Sequence, residues 1–325
     1  MDTSQQFAER ARQAPKRIVL PEGDDARMVA AAVRLKEEGI AHPVLLGSAA
    51  AVAAAAAEAG GQLAGVEVVD PAADGRMARY VEGYAAKREV SPGLARRLVR
   101  KPLYFGAMMV AEGDADGGVA GLASTTTSVI QAAALCIGYA PGASQASSLF
   151  IMELPGREPL VYADAAIVPQ PSARELAEIA VTTARSARAL LGIEPLVALL
   201  SFSTYGSAAH PDVDKVRQAT ALAREMAPDV ALDGELQADA ALSPRVAARK
   251  GATSAVAGHA NVLVFPDLDA ANIAYKLTQY LAGAKAIGPI MQGFARPFND
   301  LSRGATVEDV VTVAAIAVVK AQALA

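Results

Sequence analysis

A single cysteine, Cys136, stands among 325 residues, so no disulfide can form within the chain and no cysteine-based metal cluster can be built. The three histidines, His42, His210 and His259, lie far apart with no ligand spacing, and no metal site is expected from them. Positive charge is not in excess: 30 Lys and Arg against 34 Asp and Glu give a net charge of −4, the opposite of a general nucleic-acid binder. That balance leaves room for a local basic pocket around a small anion. The first sixteen residues are polar and helix-prone and contain no apolar signal core. No uncharged apolar stretch reaches membrane-spanning length; the Ala-rich run at 49–59 is short and contains Glu58. Neither GxGxxG after the first apolar segment nor GxxxxGK[ST] is present, so the usual dinucleotide and P-loop sites are unsupported. These absences lead to the expectation of a cytoplasmic protein with no nucleic-acid or membrane partner.

What is abundant is apolar residue, 53% of the chain, enough for a large core. Short apolar runs alternate with longer amphipathic ones. Strands are expected at 17–21 (RIVLP), 42–46 (HPVLL), 65–69, 119–122, 147–153, 160–163, 196–201, 230–233 and 260–265. Helices are expected at 25–39, along the Ala-rich run, at 77–88, 92–99, 173–191, 213–226 and 269–281, and from Thr306 to the end. Such alternation predicts an α/β fold with mainly parallel sheets flanked by helices. In such folds ligands gather beyond the carboxyl ends of strands, so the polar loops there are the places to search.

The stretch 288–309, GPIMQGFARPFNDLSRGATVED, has neither a helical nor a strand period and concentrates glycine, arginine, Asn299, Asp300 and Ser302. Ser302, Arg303 and Gly304 offer a hydroxyl, a fixed positive charge and a flexible amide, a set suited to a phosphoryl or acyl oxyanion or equally to a tight solvated loop. Thr306 and Asp309 have capping-box spacing at the start of the last helix, so Asp309 is either a cap or a proton acceptor beside Ser302 and Arg303. Ser124, Thr125, Thr126, Thr127 and Ser128 form a hydroxyl run between a strand and a helix. A cap needs one of the five; a phosphate cradle at a helix N-terminus uses several. A second run, SFSTYGS at 201–207 with Ser203 and Thr204, follows the most apolar strand but lacks a charged neighbour. Asn272, Tyr275 and Lys276 share one side of a helix, either as a ligand face or a plain surface stripe. Cys136 sits in the apolar run AAALCIG and reads as a buried small residue.

Over nearly its whole length the chain resembles the phosphate acetyltransferase (phosphotransacetylase) family. The resemblance is carried by GPI-x-QG-x-A-x-P-x-NDLSRG at 288–304, LPEGDDAR at 20–27, LYFGAMM at 103–109, SFSTYGSA at 201–208, APDVALDGELQADAAL at 227–242 and NVLVFPDLDAANIAYK at 261–276. It implies two domains related to the isocitrate and isopropylmalate dehydrogenases, with a cleft between them: 1–143 plus 291–325, and 144–290. It further implies a homodimer and reversible acetyl transfer between acetyl-CoA and phosphate, giving acetyl phosphate and CoA. Coenzyme A would be a substrate, with no tightly bound cofactor. Ser302 and Arg303 match the family's active-site serine and arginine, and Asp309 its general base. An ordinary carboxylate is a weak base for a thiol, so either nearby positive charge such as Arg303 must favour the thiolate or partial burial must raise the Asp309 carboxyl. Expected substrate contacts are Ser124, Thr125, Thr126, Thr127, Ser128, Gln131, Lys87, Arg88, Ser203, Thr204, Tyr275, Lys276, Gly288, Pro289, Gln292 and Asn299.

Two positions depart from the family pattern. Gln131 stands where an arginine is usual, and a glutamine donates a hydrogen bond without charge or a bidentate fork. Lys87 and Arg88 stand near a second family arginine and are candidates to replace it. Three other readings compete: a phosphate acyltransferase for propionyl or butyryl groups, a non-catalytic sensor of CoA or acetyl phosphate, and a metal-dependent dehydrogenase. The last would need paired strand-end aspartates, for which Asp233 and Asp239 are the nearest candidates.

Overall fold

The computed structural model describes residues 3–63 and 65–324. The chain runs α1 (Thr3–Gln13), β1 (Lys16–Leu20), α2 (Ala26–Glu37), β2 (Ala41–Leu46), α3 (Ala49–Glu58), β3 (Glu67–Val69), α4 (Met77–Arg88), α5 (Pro92–Val99), α6 (Pro102–Ala111), β4 (Gly117–Ala120) and α7 (Thr126–Cys136). It continues through β5 (Ser147–Glu153), β6 (Leu160–Ala163), α8 (Ala173–Leu191), β7 (Leu196–Leu200), α9 (Pro211–Met226), β8 (Ala231–Leu236), α10 (Ala238–Leu242) and α11 (Pro244–Arg249). The last elements are β9 (Val262–Val264), α12 (Leu268–Leu281), β10 (Lys285–Gln292), β11 (Phe298–Asp300) and α13 (Val307–Gln322). Two compact units result: residues 1–140 with 294–325, and 141–293.

The first unit is a five-stranded parallel sheet in the order β11-β4-β1-β2-β3. Side chains alternate across each strand, so β1 and β2 send Val19, Val44 and Leu46 into one core layer with Tyr80, Phe105, Met108 and Val129 of the helices α4, α6 and α7. On the opposite face α13 packs on α2, β1 and β4, and also on α1. The buried run from Val310 to Val319 shows why α13 reads as apolar nearly all round. Caps set the helix starts: Asp25 accepts the Arg27 amide at α2, and Ser48 accepts the Ala51 amide at α3.

The order of this sheet decides where a ligand can sit. From β1 the chain moves to β2 and β3 on one side, while β4 and β11 lie on the other. The point of reversal is therefore between β1 and β4, where successive connections leave on opposite faces and open a crevice. Because β11, β4 and β1 are parallel neighbours, the loops at 301–306, 121–125 and 21–25 emerge side by side at their carboxyl ends.

The second unit is a six-stranded mixed sheet in the order β10-β5-β6-β9-β7-β8, antiparallel at β10-β5-β6 and parallel from β6 onward. α8 and α9 pack together on one face. On the other, Phe150, Met152, Leu160 and Leu200 join the alanines of α10 and α11. α8 opens with a full capping box, Ser172 and Glu175 each accepting the other's backbone N–H.

The stretch 288–309 differs from the expectation of a structureless segment: β10 runs into it and β11 lies inside it. Two physical reasons hide these strands. β10 carries a bulge between Ile287 and Ile290, where Gly288 lies so close to Leu149 and Phe150 that a Cβ would fall 2.8 Å from the Phe150 ring. β11 is buried at all three residues, which removes the polar–apolar alternation that marks a half-exposed strand.

Candidate active site

Glu22, just beyond the end of β1, is 6% exposed. Its carboxylate accepts hydrogen bonds from four successive backbone amides after β4: Gly121 (2.9 Å) and Leu122 (2.8 Å) on Oε2, Ala123 (3.1 Å) and Ser124 (2.7 Å) on Oε1. A buried carboxylate needs such partners, since its desolvation would otherwise cost several kcal/mol. Glu22 thus fills the amide nest that leads into the Ser/Thr run and takes the first amide of the run, that of Ser124. What the run offers outward is its hydroxyls and the first turn of α7.

Those hydroxyls have distinct positions. Thr125 is the N-cap of α7, its Oγ1 accepting the Ser128 amide (3.2 Å) and lying 2.9 Å from Ser128 Oγ. Thr126 donates to Asp300 Oδ2 at 2.5 Å. Ser124 and Ser128 are half-buried and Thr127 is exposed. Ser124, Ser128 and Gln131 line a cavity of about 360 Å³ together with Glu22, Lys101 and Tyr104.

Asp300 ends β11 and is 3% exposed, with Oδ1 lacking a hydrogen-bond partner among the described residues. Burial is the main cause that pushes its carboxyl up to about 6; the Glu22 charge adds to the rise and the Thr126 hydroxyl opposes it. Gly121 faces this point with φ +122°, and a Cβ there would meet Asp300 Oδ1 and the Leu301 backbone at 2.5 Å. Only glycine lets β4 and β11 turn outward this close together. Neighbouring Asn299 is fully buried inside β11.

The third loop is clamped from the first. Arg27 Nη1 donates to the carbonyls of Arg303 (2.8 Å) and Ala305 (3.0 Å). Asp25 holds that guanidinium through Nε (3.1 Å) and Nη2 (2.7 Å), and its own carboxyl is drawn below the ordinary range by this contact. Ser302 and Arg303 are exposed on this fixed backbone, and Ser302 Oγ accepts the Gly304 amide at 3.3 Å. At the start of α13 the capping box is formed: Thr306 donates its amide and its hydroxyl to Asp309 Oδ2, both at 2.8 Å. Asp309 is exposed, and both bonds fall on one oxygen, so capping leaves Oδ1 for other use.

Lys87 and Arg88 lie elsewhere. Lys87 donates to the carbonyls of Cys136 (2.7 Å) and Ile137 (2.9 Å), Arg88 to those of Ala134 (2.6 Å) and Leu135 (2.8 Å). They satisfy the C-terminal carbonyls of α7, whose N-terminus bears the hydroxyls, so they stand a helix length from the expected phosphate contact. Cys136 is buried, and desolvation pushes its thiol up to about 12, as an inert thiol requires.

In the second unit most expected contacts are engaged internally. Ser203 is fully buried and donates to Glu235 (3.0 Å); Thr204 is tied to Gln237 through both its hydroxyl and the Gln237 amide. Gln292 is buried and donates to Ser147 and Thr183. Tyr275 stacks on Phe150 with centroids 4.3 Å apart, and the exposed Lys276 places Nζ 5.7 Å from the Tyr275 ring. Gly288 and Pro289 form the β10 bulge and are half-buried. Asp233 binds Arg224, Tyr205 and Ser254, while Asp239 binds Lys250. Among the described residues no group of three or more His, Cys, Asp or Glu is placed to hold a metal ion.

Residue-by-residue reading of the sequence passed over Glu22, Arg27 and Lys101 as site builders, and named Asp300 only as part of the stretch 288–309. A signal existed: LPEGDDAR puts three acids and an arginine directly after a buried apolar strand, a costly place for charge without a task.

Replacing Glu22 by Gln turns one acceptor oxygen into an amide NH₂ facing two N–H donors. Glu22→Gln is expected to cost about 2–4 kcal/mol of stability, read as a fall in the denaturant midpoint; an unchanged midpoint would contradict the assignment. Asp300 gives a pH signature. Its folded-state carboxyl titrates near 6, above the ordinary range, so its contribution is complete below about pH 4, declines as pH rises to about 6, and is level above. Asp300→Asn is expected to remove a decline on the order of 2 kcal/mol between pH 4 and 7 from denaturant unfolding. Equal pH slopes for variant and parent would rule this out.

Known proteins match this chain over nearly its whole length. The family model described as phosphate acetyl/butaryl transferase matches residues 2–318. A phosphate acetyltransferase of Thermoanaerobacterium thermosaccharolyticum is 47% identical over 330 residues, covering 99% of this chain and 100% of the relative. One from Acetivibrio thermocellus is 46% identical, covering 99% of each. Among solved structures, a phosphotransacetylase from Streptococcus pyogenes superposes with a TM-score of 0.95 at 42% identity, covering 99% of this chain and 98% of the other. A 4-hydroxythreonine-4-phosphate dehydrogenase from Klebsiella pneumoniae, with a TM-score of 0.54 at 13% identity, shares the fold alone. With a strand-end site of this composition and relatives matched from end to end, the chain belongs to the phosphate acetyl/butaryl transferase family.

Proposed function

We propose that this chain transfers an acetyl group reversibly between acetyl-CoA and inorganic phosphate, with Asp309, Ser302 and Arg303 at the reacting centre. The observation that carries the assignment of residues is the meeting of three loops at neighbouring strand ends of one sheet. Ser302 and Arg303 follow β11, the hydroxyl run follows its parallel neighbour β4, and the Thr126–Asp300 bond joins the two, which supports this reading. The relatives named phosphate acetyltransferase support the choice of reaction.

In the direction of thioester synthesis, Asp309 Oδ1 takes the proton of the CoA thiol while Oδ2 keeps its cap bonds. The thiolate sulfur attacks the carbonyl carbon of acetyl phosphate. Charge that develops on the carbonyl oxygen is met by Ser302 and loop amides. The bond between the acyl carbon and the bridging oxygen then breaks, and phosphate leaves with that oxygen and the electron pair toward Arg303. In reverse, phosphate oxygen attacks acetyl-CoA and the CoA thiolate leaves. Because Arg27 fixes the loop by its carbonyls, Ser302 and Arg303 present their side chains from a preorganised backbone. Coenzyme A is a substrate here, not a resident group. No helix among the described residues is long and apolar enough to cross a membrane, which fits the proposed cytoplasmic setting.

A homodimer fits the surface of α12. Of this helix only Ala271 is fully buried, while Ile273, Leu277, Tyr280 and Leu281 are 58%, 52%, 81% and 81% exposed. Their i, i+4, i+7, i+8 spacing makes one apolar face, the kind of patch a subunit contact covers.

Purified protein given CoA and acetyl phosphate is expected to form thioester at about 1–10³ turnovers per second, followed by absorbance. Asp309→Asn keeps an acceptor for the cap but cannot take a proton; turnover is expected to fall by about 10²–10⁴ with CoA affinity nearly intact. Equal loss of affinity and rate would mark Asp309 as a structural cap. For the assembly, Tyr280→Glu with Leu281→Glu is expected to convert a dimer to monomer in sedimentation velocity. A parent that sediments as a monomer, or a variant that stays dimeric, would contradict the interface.

A further inference from the structure

The cavity beside Ser124 and Ser128 holds a cation that the reaction as described does not use. Lys101 occupies the N-cap position of α6 with extended backbone, as the residue before Pro102 must. It is exposed, lines the cavity, and carries Nζ 6.0 Å from the centroid of the Tyr104 ring. No ion pair involves it among the described residues, in a chain where many basic side chains have an acidic partner. Across the cavity stand Ser128 and Gln131, three apart and so on one face of α7, with Ser124 before the helix.

Charge around this cavity is unevenly committed. Glu22 is one of its walls, but both carboxylate oxygens are occupied by the four loop amides. Asp24 also lines it and is exposed. Gln131 contributes hydrogen bonds and no charge. Lys101 is the sole cation among the described lining residues. Hydroxyls and a helix N-terminus alone, next to two carboxylates, would repel a phosphoryl dianion; a lysine in the same wall offsets one of those charges, and the four amides disperse that of Glu22.

We infer that Lys101 supplies, in addition to Arg303, positive charge to the phosphoryl group of the substrate from this cavity wall, doing from the start of α6 what an arginine at position 131 would do from α7. The inference rests on the acetyl-transfer reading above and adds to it the residue that sets phosphate affinity. Ser128, Ser124 and Gln131 donate the directional hydrogen bonds. Lysine is a compact point charge with rotatable donors, so such a site depends on attraction more than on a bidentate fit.

The test is steady-state kinetics with acetyl-CoA, varying inorganic phosphate, for Lys101→Met, Lys101→Arg and Lys101→Met with Gln131→Arg. Lys101→Met is expected to raise the KM for phosphate about tenfold or more and leave the KM for acetyl-CoA nearly unchanged. Lys101→Arg stays near the parent, and Gln131→Arg restores most of the loss in the Lys101→Met background. A phosphate KM within twofold of the parent would overturn the inference, as would equal rises for phosphate and acetyl-CoA, which would assign Lys101 to the coenzyme. Absence of turnover in the parent would sink the acetyl-transfer reading itself. Calorimetric titration with inorganic phosphate then decides on Lys101 separately: binding by the parent that is lost in Lys101→Met supports it, and equal or absent binding in both overturns it.

Discussion

One buried carboxylate organises this site. Glu22 takes up four consecutive backbone amides at the point where the sheet order reverses, and so holds the loop after β4 against the loop after β1. Without it, four N–H groups would face a crevice between strand ends, and the Ser/Thr run would have no fixed path into α7. The other two loops depend on similar ties. Arg27, held by Asp25, grips the backbone of residues 303–305, and Asp300 reaches across to Thr126. Charged groups thus do the structural work of fixing loops, while exposed hydroxyls, Arg303 and Asp309 face outward.

Capping and catalysis need not compete for a residue. Asp309 was readable from the sequence as a cap or as a base, and the geometry accommodates both, since the cap bonds converge on Oδ2. A similar economy holds in the hydroxyl run. Thr125 is engaged as a cap and pairs with the Ser128 hydroxyl, while Thr126 alone of the run reaches Asp300 on a distant loop among the described residues.

Fold class and most elements were legible because the strands of both units are short apolar runs between well-capped helices. β5, β6, α4, α5 and α8 begin and end where their patterns do. β10 and β11 were not, one because a bulge at Gly288 breaks its period, the other because it is buried on both faces. Ser302, Arg303 and Asp309 could be singled out because a motif names them. Residue type alone does not foretell bonding: Lys87 and Arg88 bind carbonyls at the C-terminal end of α7, and Ser203 and Thr204 are buried and bound within the second unit. Glu22 escaped notice because its amide partners lie a hundred residues away, and the run of charge after β1 hints at a task without naming the partner.

The central claim, that Glu22 fixes the loop on which the site is built, is tested most directly by amide hydrogen exchange at Gly121, Leu122, Ala123 and Ser124. Loop amides ordinarily exchange by local opening at little cost in free energy. If Glu22 holds these four, they are expected to exchange as slowly as the amides of β1 and β4, through opening of the sheet. Exchange at the rate of an open surface loop would contradict the account.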